Sequence, residues 1–179
     1  MVHFKNDNSI TMDNLKKILL ILVIGIMILP ITSETKEQKS KKEITNEERI
    51  GTIIINKISL KEDLYKIESP ENNIEKHVTI LKESVFPNHN NSIIFLAAHS
   101  GTGKIAYFEK LNQLKTNDEV ILLLKKKEYK YIVKDIWEEP KNGYINVNKE
   151  NLNQLILTTC SPTNRNKQLI INCIEKESN

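Results

Sequence analysis

The chain has 179 residues, of which 39% are hydrophobic and 27% are charged, with only five glycines and five prolines. This length suits one folded domain with accessory segments, and the composition excludes a fibrous or low-complexity protein. The formal net charge of +3 is too small to indicate nucleic-acid binding.

The first predicted element is a hydrophobic segment near the N-terminus. An uncharged apolar run, ILLILVIGIMILPI, fills residues 18–31. Because it is shorter than the roughly 20 residues of a full span, it fits either a short anchor or the hydrophobic part of a cleaved signal peptide. The residues that follow lack a small-residue cleavage site, which favours an uncleaved membrane anchor over residues 18–32. Lysines precede the run, so residues 1–17 are predicted to stay cytoplasmic and the remainder to lie outside the cytoplasm.

A charged segment follows, and then the folded domain begins. Residues 33–49 mix both charges with almost no apolar side chains, so they cannot bury enough surface to offset the entropy of ordering. We predict that this segment is a tether. Residues 50–179 are predicted to form the single folded domain.

Short apolar runs of strand length recur through this domain. They are rich in β-branched residues and are separated by turn-forming segments. The predicted strands are 51–58, 93–98, 120–124, 129–137, 155–159 and 169–174, and the basic run 125–127 is interpreted as the solvated tip of a hairpin. A helix is predicted over 106–114, because Tyr107, Leu111 and Leu114 recur at the spacing of one helix face. The pattern predicts a mostly β domain, a small barrel with one or two short helices.

Two predicted strands end in residues that suit nucleophilic chemistry. Cys160 follows the run 155–159, and His99 follows the run 93–98 and precedes a glycine-containing loop. Either residue alone is more often structural. A thiol is only a few per cent ionised at neutral pH, so it needs a nearby cation and a histidine that exchanges protons. The pair predicts Cys160 as nucleophile and His99 as its proton-transfer partner.

Arg165 is the one arginine of the predicted domain, and it lies five residues after Cys160. Its guanidinium offers a fixed fork of donors that lysine cannot copy when an oxyanion needs stabilising. This makes Arg165 the candidate electrophile, although a salt-bridging surface role fits the sequence equally well.

The same residues allow competing interpretations. Cys173 lies in the last predicted strand and is expected to be a packed core residue, but a disulfide between Cys160 and Cys173 would abolish nucleophilic chemistry. The segment 100–104 (SGTGK) lacks the first Gly and the final Ser or Thr of a phosphate-binding loop, which excludes nucleotide binding there. No close His and Cys spacing typical of a zinc site occurs, so no metal and no cofactor is predicted.

Three stretches resemble the sortases of Gram-positive bacteria. IGTIIINKISL, from residue 50, resembles the family's first strand; AAHSGTGKIAYFEKLNQL, from residue 97, looks like its histidine strand with the following helix; and LTTC, ending at Cys160, matches its cysteine signature. The likeness extends from residue 50 to the C-terminus and implies a closed eight-stranded sortase-type β-barrel. The family's arginine usually lies directly before the last strand, where this sequence has Gln168, whereas Arg165 comes earlier.

The resemblance implies a membrane-anchored cysteine transpeptidase of a class B-like or class D-like type. Cys160 would cleave a sorting signal resembling Leu-Pro-x-Thr-Gly through a thioacyl intermediate, and His99 would protonate the leaving amine. The implied partners are surface proteins that carry the signal, and an amine from a cell-wall precursor or a pilin lysine. Calcium activation is not indicated. Two alternatives stay open: a non-catalytic surface module that binds peptides, and a cysteine protease that hydrolyses the same intermediate.

Overall fold

The computed structural model describes residues 48–87 and 91–176. The predicted cytoplasmic segment 1–17, the predicted anchor 18–32 and all but the last two residues of the predicted tether 33–49 lie outside these residues. Within the described part, no helix is both long enough and apolar enough to cross a membrane.

The described chain is mostly β-structure. Its strands are β1 (Arg49–Ile55), β2 (Leu60–Tyr65), β3 (Thr79–Ile80), β4 (Ile93–Ala97), β5 (Glu119–Leu124), β6 (Lys127–Pro140), β7 (Gln154–Cys160) and β8 (Lys167–Glu175). Two short 3-10 helices, Asn56–Ile58 and Leu111–Gln113, accompany them.

All eight strands belong to one sheet, in the order β2-β1-β5-β6-β8-β7-β4-β3. Neighbouring strands are antiparallel except β4 and β7, which are parallel. The strands β2 and β3 form the two edges, and no ladder joins them within the described residues. The barrel is therefore nearly closed, which confirms the mostly β class and the strand number but not full closure.

The core follows from the two-residue period of the strands. Every second side chain along the central strands is buried in one hydrophobic cluster, for example Leu96 on β4, Leu122 on β5 and Leu157 on β7, all with no exposed surface. The alternate side chains of β4, β7 and β8 lie on the opposite face of the sheet.

Two local features explain how β1, β5 and β6 fit together. A Cβ atom at Gly51 would lie 2.2 Å from the backbone oxygen of Leu123, so only glycine permits this close pairing of β1 with β5. Lys125 and Lys126 have φ values of 47° and 72° and form the two-residue turn between β5 and β6. The prediction of a hairpin tip at 125–127 is confirmed.

The prediction of a helix over 106–114 is wrong. The segment forms successive turns whose amides bond three residues back, as from Leu111 to the carbonyl of Phe108, and only Leu111–Gln113 is a 3-10 helix. The buried side chains are Phe108, Leu111 and Leu114, which recur at intervals of three. This is the period of a 3-10 helix, in which side chains at i and i+3 align, rather than that of an α-helix.

Candidate active site

The parallel pairing of β4 with β7 brings His99 and Cys160 to the same end of the sheet. The last paired residues are Ala97 and Thr158, two positions before His99 and Cys160 respectively. Side chains continue this alignment, because the Thr159 hydroxyl donates a hydrogen bond of 2.8 Å to the carbonyl of Ala98. Cys160 is thus the last residue of β7, and His99 occupies the equivalent position two residues after the end of β4.

His99 and Cys160 also share one face of the sheet. Counting back in steps of two, His99 lies on the face of Phe95, and Cys160 lies on the face of Ile156. Phe95 and Ile156 belong to one small apolar cluster on the outer side of the sheet. The other members of this cluster are Ile93, Ile170, Trp137, Ile145 and Val147.

The loop that follows His99 is tied to the backbone of Cys160. The Ser100 hydroxyl donates a hydrogen bond of 3.1 Å to the carbonyl of Cys160. Gly101 and Gly103 follow with φ values of 104° and 149°, a region that favours glycine. The loop therefore leaves the strand next to the thiol-bearing residue.

The thiol and the imidazole each contact a charged side chain. Lys141 Nζ donates a hydrogen bond of 3.1 Å to Cys160 Sγ. His99 Nε2 lies 3.0 Å from Glu75 Oε1, and the two side chains are 34% and 66% exposed. The site is therefore a partly solvated surface at the strand ends, with a cation at the sulfur and an anion at the imidazole.

The residue opposite Cys160 on β8 is Gln168. Its side-chain amide donates hydrogen bonds to Glu139 Oε1 at 3.2 Å and to the carbonyl of Tyr144 at 2.7 Å. Glu139, which is buried, also accepts hydrogen bonds from the backbone and side chain of Asn146. This position therefore holds a neutral side chain that fastens the loop 141–153 to the sheet.

Arg165 lies in the loop between β7 and β8 and is exposed. Within residues 48–87 and 91–176 its guanidinium makes neither a hydrogen bond nor an ion pair, so its predicted role at the oxyanion stays a prediction. Arg49, which the sequence assigned to the tether, is the first residue of β1 and forms an ion pair of 2.7 Å with Asp63. The folded domain therefore carries two guanidinium groups rather than one.

Cys173 is a core residue, as predicted, with no exposed surface. Burial raises the pKa of its thiol well above the ordinary value. It pairs with Leu155 on β7, whereas Cys160 pairs with Gln168, five residues further along the same strand. Five residues of strand span about 17 Å, which is far beyond disulfide reach, and both cysteines are free thiols. The disulfide alternative is wrong.

Sequence reasoning missed Lys141 and Glu75 as neighbours of the candidate pair. Lys141 follows Pro140 in a turn-forming stretch, and nothing in its sequence context separates it from the many other lysines. Within the described part of the chain, no group of three or more His, Cys, Asp or Glu side chains is arranged to hold a metal ion.

The family model of the Sortase domain matches residues 53–175, which is more than half of the chain. Comparison with curated protein sequences gives no match. A lid mutant of sortase A from Corynebacterium diphtheriae is 20% identical, with a TM-score of 0.63, over 73% of this chain and 71% of that chain. Sortase C from Streptococcus pneumoniae is 22% identical, with a TM-score of 0.65, over 73% and 68%. Sortase C from Clostridium perfringens SM101 is 22% identical, with a TM-score of 0.59, over 73% and 71%.

Proposed function

Since the chain belongs to the sortase family, whose members are cysteine transpeptidases, we propose that it cleaves the C-terminal sorting signal of a protein and joins the remaining protein to an amine. The signal would resemble Leu-Pro-x-Thr-Gly. The observation that supports this most directly is the parallel pairing of β4 with β7, which brings His99 and Cys160 to the same end and the same face of the sheet.

The proposed reaction has two halves that share one thioester. The Cys160 sulfur attacks the carbonyl of the scissile peptide bond, and the carbon–nitrogen bond breaks as His99 delivers a proton to the leaving amine. An incoming amine then attacks the thioester and gives up a proton to His99, and the carbon–sulfur bond breaks to return the Cys160 thiolate. Glu75, 3.0 Å from the imidazole, would hold the ring in the orientation that these transfers need.

The proposed setting is the outer face of a cell membrane. Residues 18–32 would anchor the chain with residues 1–17 in the cytoplasm, and residues 33–49 would tether the barrel outside. The substrates would be surface proteins that carry the sorting signal, and the acceptor would be an amine of a cell-wall precursor or a pilin lysine. Sortase C from Streptococcus pneumoniae, whose structure is described in terms of pilin substrate specificity, supports the pilin acceptor.

The test is product analysis with the full-length chain in mild detergent. The chain is incubated with a library of sorting-signal peptides and an excess of triglycine, and products are identified by mass spectrometry. Ligated peptide is expected from the wild type and none from Cys160→Ala or His99→Ala. Cys173→Ala is the matched control, because it removes a thiol that the proposal leaves unused.

The two alternatives give different products. Hydrolysed peptide alone, at every concentration of triglycine, would identify a cysteine protease. Peptide binding without any product, together with a Cys160 thiol that reacts no faster than a free cysteine, would identify a non-catalytic module. Ligation that persists in Cys160→Ala would remove Cys160 from the mechanism.

A further inference from the structure

The contact between Lys141 and Cys160 joins an ammonium to the proposed nucleophile. Lys141 Nζ donates to the sulfur at 3.1 Å, and within the described residues this lysine forms no ion pair with a carboxylate. A cation at this distance favours a thiolate over a thiol. Building on the proposed function, we propose that Lys141 is a catalytic residue that holds the Cys160 sulfur as a thiolate before it attacks.

The backbone of Lys141 is fixed by the sheet rather than by a long loop. The β6 and β8 ladder ends with Pro140 opposite Lys167. It is extended by one hydrogen bond of 2.9 Å from the Lys141 amide to the carbonyl of Asn166. Because the backbone is already held in place, only the lysine side chain loses conformational freedom when the ammonium contacts the sulfur. This loss of side-chain entropy is the main cost of the contact.

Other charged groups lie at this end of the sheet, but within the described residues none of them contacts the sulfur. On the β8 side, Gln168 is neutral, and its amide is bonded to Glu139 and to the Tyr144 carbonyl. The titratable or charged side chains at this end of the sheet are His99 with Glu75 beyond β4, Glu138 and Glu139 on β6 with Lys141 directly after it, and Arg165 and Lys167 around the start of β8. Among them, Lys141 is the group bonded to the sulfur in the described part of the chain.

In the proposed acylation step, His99 transfers a proton and Lys141 does not. The thiolate electron pair forms the sulfur–carbon bond, and the carbonyl electrons move to oxygen. When the intermediate collapses, the carbon–nitrogen bond breaks and nitrogen takes its proton from His99. Lys141 keeps all three of its protons throughout. It loses its charged partner when the sulfur is acylated and regains it when the thioester is resolved.

The test measures the alkylation of Cys160 by iodoacetamide as a function of pH in the full-length chain, with the modified residue identified by mass spectrometry. Lys141→Met is expected to slow alkylation about fivefold near neutral pH, which is the size of an exposed charge contact. At about pH 10 and above the rates are expected to converge, because the thiol then ionises without assistance. Lys141→Arg is expected to retain the wild-type profile within about twofold, because it keeps the charge.

Lys167→Met is the matched control, because it removes the same charge from the same sheet end without a contact to the sulfur. Unchanged alkylation in Lys141→Met, or equal slowing in Lys141→Met and Lys167→Met, would overturn the proposal. If Arg165→Met slowed alkylation and Lys141→Met did not, Arg165 would be the cation instead. The alkylation measurement needs no peptide substrate. If the chain proved inactive as a transpeptidase, the proposed function would be overturned, but the alkylation rates would still decide the role of Lys141.

Discussion

The hydrogen bond between Thr159 and Ala98 links the two strands that carry the proposed nucleophile and proton donor. The Thr159 hydroxyl donates to the carbonyl of Ala98 at 2.8 Å, and both residues are buried. Thr159→Val preserves the shape of the side chain but leaves that carbonyl without this donor. An unsatisfied buried acceptor costs about 1 to 3 kcal/mol. A decrease of about 1.5 kcal/mol in the free energy of unfolding lowers the urea midpoint by roughly 1 M.

The same substitution is expected to lower activity while the chain stays folded. Domains have about 5 to 15 kcal/mol of stability, so Thr159→Val remains native at 25 °C. The bond lies one residue before both His99 and Cys160, so a shift of one strand against the other would misalign the proposed pair. A loss of about tenfold in kcat/KM is expected, since displacements of the order of 1 Å cost up to about a hundredfold.

Two variants separate the hydrogen bond from the shape of the side chain. Thr158→Val makes the same chemical change one residue earlier, where the hydroxyl has no hydrogen bond within the described structure, so its urea midpoint should stay near that of the wild type. Thr159→Ser keeps the hydroxyl and should restore most of the activity. If Thr159→Val and Thr158→Val unfolded at the same urea concentration, the reasoning from this bond would be refuted.

Three further predictions concern the buried Cys173, the close pairing of β1 with β5 at Gly51, and the carboxylate of Glu71. Ellman's reagent should modify one thiol of the native chain, because burial raises the pKa of Cys173 and excludes the reagent, and a second thiol only in urea. Gly51→Ala should lower the free energy of unfolding by about 1 to 3 kcal/mol in urea titrations, because its Cβ would overlap the backbone of β5. A hydrogen bond from Lys76 lowers the pKa of Glu71, so this carboxylate stabilises the fold above its unfolded pKa and the benefit is lost as pH falls. Glu71→Gln should therefore cost up to about 1 kcal/mol at pH 7, and this cost should shrink as pH falls through the folded pKa of Glu71.

Each of these has a result that would contradict it. Rapid reaction of two thiols with Ellman's reagent in the native chain would mean that Cys173 is accessible. Gly143→Ala is the control for Gly51→Ala: a Cβ there meets nothing within 4 Å, although its φ of 86° also disfavours alanine. Gly51 has no positive φ, so an unchanged urea midpoint in Gly51→Ala would show that β1 and β5 separate enough to admit the methyl group without cost. A Glu71→Gln difference that persists at low pH would point to packing instead of charge.

Much of the strand content could be predicted from the sequence, because six strands are apolar runs with frequent β-branched residues. The other two strands, β2 and β3, were not predicted, and each omission has a physical reason. Three of the six residues of β2, Leu60–Tyr65, are charged, since β2 is an edge strand with one face in solvent. The strand β3 has only two residues, Thr79–Ile80, which is too short for any periodicity.

The candidate pair could be predicted as two polar strand ends, but its geometry could not. His99 and Cys160 are separated by 60 residues, and they become neighbours only because β4 and β7 pair in parallel. A parallel pair needs a long crossover connection, and its register depends on packing that local sequence patterns do not specify. Lys141 was missed for the same reason, because its contact with the sulfur depends on the pairing of β6 with β8.

The two cysteines illustrate how strand position, rather than residue type, decides chemistry in this fold. Cys160 and Cys173 lie on adjacent strands, yet Cys173 points into the main core from the middle of a ladder, and Cys160 ends its strand on the opposite face. A thiol in the core cannot ionise without losing hydration, and among the residues that the structure describes no cationic side chain is hydrogen-bonded to Cys173. At the strand end, the sulfur contacts Lys141, which directly follows β6, and His99 lies two residues beyond the end of the paired strand β4. The buried ladders therefore hold the geometry, and the exposed strand ends are left to carry the charges that the proposed reaction needs.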